Sequence, residues 1–118
     1  MSTLFGIKNC DTVKKARKWL EAQGQEYTFH DFREQGLDKA TLAIWLEKVG
    51  KDTLINKRST TWKQLSDQQK SEFDGETLNS AAQDLVIENP TLIKRPVMES
   101  QDTITVGFKA DQYAQLFN

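Results

Sequence analysis

An α/β fold is predicted for this chain by three observations. A strand–helix–strand pattern opens it, a long stretch with helical spacing alone follows, and a two-strand and helix pattern closes it. Residues 2–6 read as a short strand. Val13, Ala16 and Leu20, with Trp19 alongside, fall at helical spacing on a helix ending near Gly24. Residues 26–32 alternate, Tyr27 and Phe29 against Thr28, His30 and Phe32, and suggest a second strand. Strand, helix and strand at this spacing form a βαβ unit, which requires the two strands to run parallel.

Gly36 marks a turn and Asp38 is placed to cap a helix. Leu42, Trp45, Leu46 and Val49 line one face of that helix, and Gly50 stops it. Residues 54–62 read as loop or one short turn. Ser66 with Gln69 fits a capping box for a helix reaching about Phe73. Leu78, Ala81, Ala82 and Leu85 stripe another helix, which Asn89-Pro90 ends. Strand character returns in Pro96-Val97-Met98-Glu99 and Thr103-Ile104-Thr105-Val106. These flank Ser100-Gln101-Asp102 as a hairpin. Tyr113, Leu116 and Phe117 lie on a last helix. The order is β-α-β, helical insertion, β-β-α, a thioredoxin-like core with an all-helical subdomain between its halves. A single domain is expected, with its core at about 1–35 and 90–118 and the insertion at about 36–89.

The 118 residues suffice for one domain with a real core. Sixteen basic and seventeen acidic residues leave a formal net charge of −1, which argues against nucleic-acid or membrane-surface binding. No apolar run approaches the ~20 residues of a membrane span. Met1-Ser2-Thr3-Leu4-Phe5 lacks the basic-then-apolar pattern of a signal peptide. One cysteine forms no intrachain disulfide, and a cytoplasmic location is expected.

That cysteine, Cys10, falls where the first strand should turn into the first helix. The positive end of a helix dipole favours a thiolate, the nucleophilic form. The strand–helix junction is also the sheet edge where α/β proteins place ligands. Lys8, Lys14 and Lys15 add positive charge nearby, and Asp11 opposes it. Val13 stands where a Cys-x-x-Cys pair would have its second thiol, so any disulfide of Cys10 is with another molecule. The bland alternative is a small buried hydrophobe.

Arg58 falls in a polar loop of the insertion, and its functional reading requires the fold to bring it over Cys10. Arg95-Pro96 opens a strand. The plain alternative is an edge-strand or turn proline; the sharper reading is a cis proline that, in a thioredoxin-like core, faces the thiol with Arg95 beside it. Two arginines and a helix N-terminus make an anion site for a carboxylate, an oxyanion or a thiolate. His30, the lone histidine, lies mid-strand and is expected to be structural or exposed. One cysteine and one histidine cannot fill a tetrahedral zinc site, so no metal is expected.

These residues together resemble the arsenate reductase (ArsC) and Spx family, in its YffB-type branch. The markers are Gly6-Ile7-Lys8-Asn9-Cys10-Asp11-Thr12 with Lys14-Lys15-Ala16, and His30-Asp31-Phe32-Arg33 leading to Gly36-Leu37-Asp38. Asn56-Lys57-Arg58-Ser59-Thr60-Thr61-Trp62, Leu92-Ile93-Lys94-Arg95-Pro96 and Val106-Gly107-Phe108 complete them. The resemblance implies a catalytic set of Cys10, Arg58 and Arg95, and a cis Pro96. It implies substrate or glutathione contacts from Lys8, Asn9, Asp11, Thr12, Lys94 and Pro96. It further implies no tightly bound cofactor, glutathione as co-substrate, a thiol, disulfide or oxyanion substrate, and glutaredoxin as a partner. Arsenate reductases carry a further arginine where this chain has Gly107-Phe108-Lys109, and a histidine upstream of the cysteine where it has Phe5-Gly6-Ile7. The expected function is therefore a glutathione-dependent thiol reductase. The alternatives are an Spx-like regulator that binds RNA polymerase, or a genuine arsenate reductase.

Overall fold

The computed structural model describes residues 2–117. It divides into two compact units, one of Met1–Gln35 with Arg95–Asn118 and one of Gly36–Lys94.

The first unit is built on a four-stranded mixed sheet. Strands β1 (Ser2–Gly6), β2 (Thr28–Asp31), β3 (Val97–Ser100) and β4 (Thr103–Val106) lie in the order β2-β1-β3-β4. β1 and β2 run parallel, with Leu4 beside Phe29, as the βαβ reading requires. β3 is antiparallel to both β1 and β4. Helix α1 (Asp11–Ala22) forms the crossover between β1 and β2. Helix α8 (Ala110–Leu116) follows β4. This is the thioredoxin-like core. Two boundaries differ from the sequence reading. β2 stops at Asp31, because the Asp31 carboxylate accepts from the Arg33 backbone N–H and starts a one-turn helix, α2 (Phe32–Gln35). The hairpin turn is two residues, Gln101-Asp102, because Ser100 still pairs with Thr103.

Leu4, Ala16, Leu20, Met98 and Tyr113 form a fully buried cluster between the sheet and the helices. Trp19 and Phe108 meet the Tyr113 ring edge-on at 5.8 and 4.8 Å. The Tyr113 hydroxyl is buried and has no hydrogen-bond partner among the described residues. Burial raises its ionisation well above the ordinary 10.0. The folded state holds the higher value, so stability is unaffected below the ordinary value and is lost as pH climbs above it. Tyr113→Phe keeps the ring and removes the orphaned hydroxyl. Thermal melts are expected to show little change near neutrality and a shallower alkaline loss than in the parent chain.

The second unit is helical apart from one antiparallel bridge, Ile55 to Ile93. Its helices are α3 (Lys39–Val49), α4 (Lys51–Leu54), α5 (Thr60–Gln64), α6 (Asp67–Ser71) and α7 (Ser80–Glu88), followed by a 3-10 turn at Pro90–Leu92. Asp38 caps α3 by accepting from Thr41, and Gly50 ends it at φ 81. Ser66 and Gln69 make the reciprocal capping box, although α6 stops at Ser71 rather than near Phe73. Residues 54–62 are more ordered than a loop: they hold the end of α4 and the start of α5. The Ser59 hydroxyl caps α5 by accepting from the Trp62 N–H. On α7 the fully buried positions are Ala82 and Val86, whereas Ala81 is exposed and Leu85 half-buried. Trp45, Leu42, Leu54 and Leu92 are completely buried and make the core of this unit.

Candidate active site

The junction between β1 and α1 follows from local sequence. Phe5, Gly6 and Ile7 are buried, and the chain turns back where the Cys10 N–H donates to the Ile7 carbonyl at 3.2 Å. Cys10 is extended, at φ −87 and ψ 125, and its carbonyl accepts the first helical bond, from Lys14, at 3.0 Å. It is thus the N-cap of a twelve-residue helix, yet its side chain makes no capping hydrogen bond. The sulfur is half-buried and free. Asp11, Thr12, Lys14 and Lys15 are exposed on the first turns. Val13 is fully buried and packs against Gly6, where a Cβ would stand 2.7 Å from Val13 Cγ2. The position of a resolving cysteine is therefore a core position here.

Asn9 and Lys8 are exposed in the turn. Lys8 is engaged elsewhere: its Nζ donates to Glu34 at 2.8 Å. The Glu34 hydrogen bond and its charge raise the lysine's ionisation, so much of the Lys8 charge is answered by Glu34. No local pattern in the sequence points to this partner, which the short α2 brings into reach.

Arg95 and Pro96 belong to the same unit as Cys10. The Arg95–Pro96 peptide bond is cis. Phe5 pairs with Val97, so the register carries Pro96 to the strand end at which β1 leaves for the Cys10 turn. The Pro96 carbonyl accepts from the Gly107 N–H at 2.8 Å. Arg95 Nε and Nη1 are buried and find no acceptor among the described residues. The residue as a whole is half-buried, and hydrogen bonds to a charged group carry ~1.5–3 kcal/mol each.

Two positions flagged by the resemblance have other work. Gly107 stands at φ 83, a conformation that strains any side chain, and Phe108 packs on Tyr113. Phe5 lies 4.8 Å from the His30 ring and 6.3 Å from Phe32, in an apolar aromatic group.

Arg58 and Lys94 belong to the helical unit. The Arg58 backbone N–H donates to Asn56 Oδ1 at 3.0 Å, and its side chain is exposed. Lys94 donates its backbone N–H to the Leu54 carbonyl at 2.8 Å. Both line one groove of that unit, together with Lys51, Asp52 and Lys57. Among the described residues no cluster of three or more potential metal ligands occurs, and no helix is long and apolar enough to cross a membrane.

The ArsC family profile matches residues 5–116. An uncharacterized protein of Haemophilus influenzae is 45% identical over 99% of each chain. The global transcriptional regulator Spx of Streptococcus pyogenes is 30% identical over 95% of this chain and 81% of its own. A solved YffB protein is 39% identical, covers both chains in full and superposes with a TM-score of 0.91. With a thioredoxin-like core, a helical insertion and a match over nearly its whole length, the chain belongs to the ArsC family.

Proposed function

We propose that the chain is a single-domain, glutathione-dependent thiol reductase with Cys10 as its one nucleophile. The observation that carries this reading is the pairing, in one unit, of a free thiol at a helix N-cap with a half-buried arginine whose Nε and Nη1 are buried without an acceptor among the described residues. The Cys10 thiolate attacks the glutathione sulfur of a mixed disulfide. A Cys10–glutathione bond forms, the original S–S bond breaks, and the substrate leaves as a thiolate that takes up a proton. A second glutathione thiolate then attacks the bound glutathione sulfur, which releases Cys10 and forms glutathione disulfide. An external thiol is needed because Val13 occupies the resolving position. Arg95 holds a carboxylate of glutathione or the departing thiolate. On the family resemblance, Arg58 is given the role of a further anion-binding guanidinium, and Asn9, Asp11, Thr12, Lys94 and Pro96 the roles of flanking contacts. Lys8 is given a lesser share because Glu34 engages it.

Intact-mass spectrometry after incubation with glutathione disulfide tests the chemistry. One glutathione on Cys10, removed again by free glutathione, is the expected result, and an unmodified chain overturns the reading. Arg95→Ala is expected to slow adduct formation by about 10- to 100-fold. Arg95→Lys should recover only part of that loss, because an ammonium lacks the planar fork.

The identity with Spx supports a second reading, a regulator that acts by binding. In that case Cys10→Ser leaves the cellular phenotype intact and polymerase copurifies with the chain.

A further inference from the structure

The helical unit carries a charged groove that shares Arg58 and Lys94 with the proposed glutathione contacts and adds Lys51 and Lys57, which that reading does not use. It has a volume of about 580 Å³, and Lys51, Lys57, Arg58 and Lys94 line it against a single carboxylate, Asp52. Four cations and one anion leave a local charge of +3 in a chain whose net charge is −1. None of the four makes an ion pair with a described residue. Lys51, Lys57 and Lys94 meet neutral partners instead. Lys51 Nζ donates to the Phe73 carbonyl at 2.6 Å and also to that of Gly75. Lys94 Nζ reaches the Asp52 carbonyl at 3.5 Å. Lys57 Nζ lies 5.4 Å over the Trp62 ring, which itself packs edge-on against Phe73 at 5.0 Å. The Arg58 side chain makes no hydrogen bond among the described residues. Like charges gathered in one concavity repel one another, and a bound polyanion relieves that repulsion.

From this arrangement we infer that the groove of the helical unit binds a small polyanion carrying two or more phosphate or carboxylate groups. A groove of this size lies within the ~300–1,000 Å³ range of small-molecule sites. Its wall is ammonium and guanidinium rather than apolar, which selects charge over hydrophobic surface. Lys and Arg together accept either phosphate or carboxylate, Arg through its fork and Lys as a point charge.

The test uses the full chain carrying Cys10→Ser, which removes the proposed thiol exchange and leaves the groove residues in place, so anion binding is read independently of that reading. Amide chemical shifts are followed during titration with pyrophosphate, with citrate, and with an eight-residue polyglutamate peptide. Saturable shifts confined to residues 51–58 and 94, together with the Trp62 indole, are expected with pyrophosphate or citrate. The tighter of the two identifies the ligand chemistry. Lys57→Glu should weaken binding about tenfold, and Lys63→Glu, outside the groove, should leave it unchanged. Raising salt should weaken binding in the parent. The inference is overturned by shifts that do not saturate, or by shifts equally large on Lys14, Lys15 and Lys18 of α1. Equal affinity in Lys57→Glu, or tighter binding of the peptide than of either small anion, also overturns it.

Discussion

Cys10→Ser is expected to lower glutathione-dependent thiol exchange by at least about 1,000-fold while leaving the fold intact or slightly firmer. The loss follows from chemistry. A serine hydroxyl is not ionised near neutral pH, and it cannot form the mixed disulfide on which turnover depends. The stability side follows from the cap. Cys10 occupies the N-cap of α1 with its side chain making no hydrogen bond there. Serine is among the preferred N-cap residues, and its oxygen can accept from the N–H of Thr12 or Val13. A gain of up to about 1 kcal/mol is therefore expected in chemical denaturation, where substitution of a merely structural, buried cysteine would bring a loss. Lost exchange with unchanged or raised stability assigns Cys10 to chemistry. Retained exchange, or a collapse in stability with it, removes Cys10 from the role given to it above.

The thioredoxin-like core was legible because its signals are local and periodic. Alternation in 26–32, helical spacing from Val13 to Leu20 and the hairpin text around Gln101 each name one element, and the right-handed βαβ rule then leaves few arrangements. The candidate thiol was equally legible, since a lone cysteine at a strand–helix junction is visible in the text. What the sequence hid are features made by distant residues. The approach of Glu34 to Lys8 depends on a one-turn helix that begins where Asp31 caps it, inside what alternation reads as strand. Helix α5 starts at a Ser59 cap without an apolar stripe to announce it. On α7 the apolar text marks Ala81, Ala82 and Leu85; the unit fully buries Ala82 but adds Val86, and leaves Ala81 exposed and Leu85 half-buried. The orphaned nitrogens of Arg95 and the unpaired cations around Lys57 are likewise properties of packing, because a sequence records the presence of a charge and not the absence of its partner.

Gly6→Ala is expected to destabilise the chain by about 1–3 kcal/mol and to slow alkylation of Cys10 as well. Gly6 is buried at the end of β1, and its backbone lies outside the left-handed region, so alanine is permitted conformationally. The obstacle is steric. An added Cβ would meet Val13 Cγ2 at 2.7 Å and Val13 Cγ1 at 3.3 Å, and a β-branched side chain in a helix has little rotamer freedom with which to yield. Relief must come from moving the first turn of α1 away from the sheet, and that turn carries Cys10. Val13→Ala removes both clashing methyls and on its own leaves a cavity, for a loss of about 1–3 kcal/mol. Combined, the two changes compensate, because the new Cβ occupies space the valine vacates. A double-mutant cycle should show a favourable coupling of about 0.5–3 kcal/mol, with Cys10 alkylation returning toward the parent rate. Additive losses, or an alkylation rate indifferent to Gly6→Ala, would show that the thiol is positioned by something other than this contact. The same valine that excludes a second cysteine then holds the first one in place: a Cys-x-x-Cys pair could be built here only by giving up the packing that sets the Cys10 turn against the sheet.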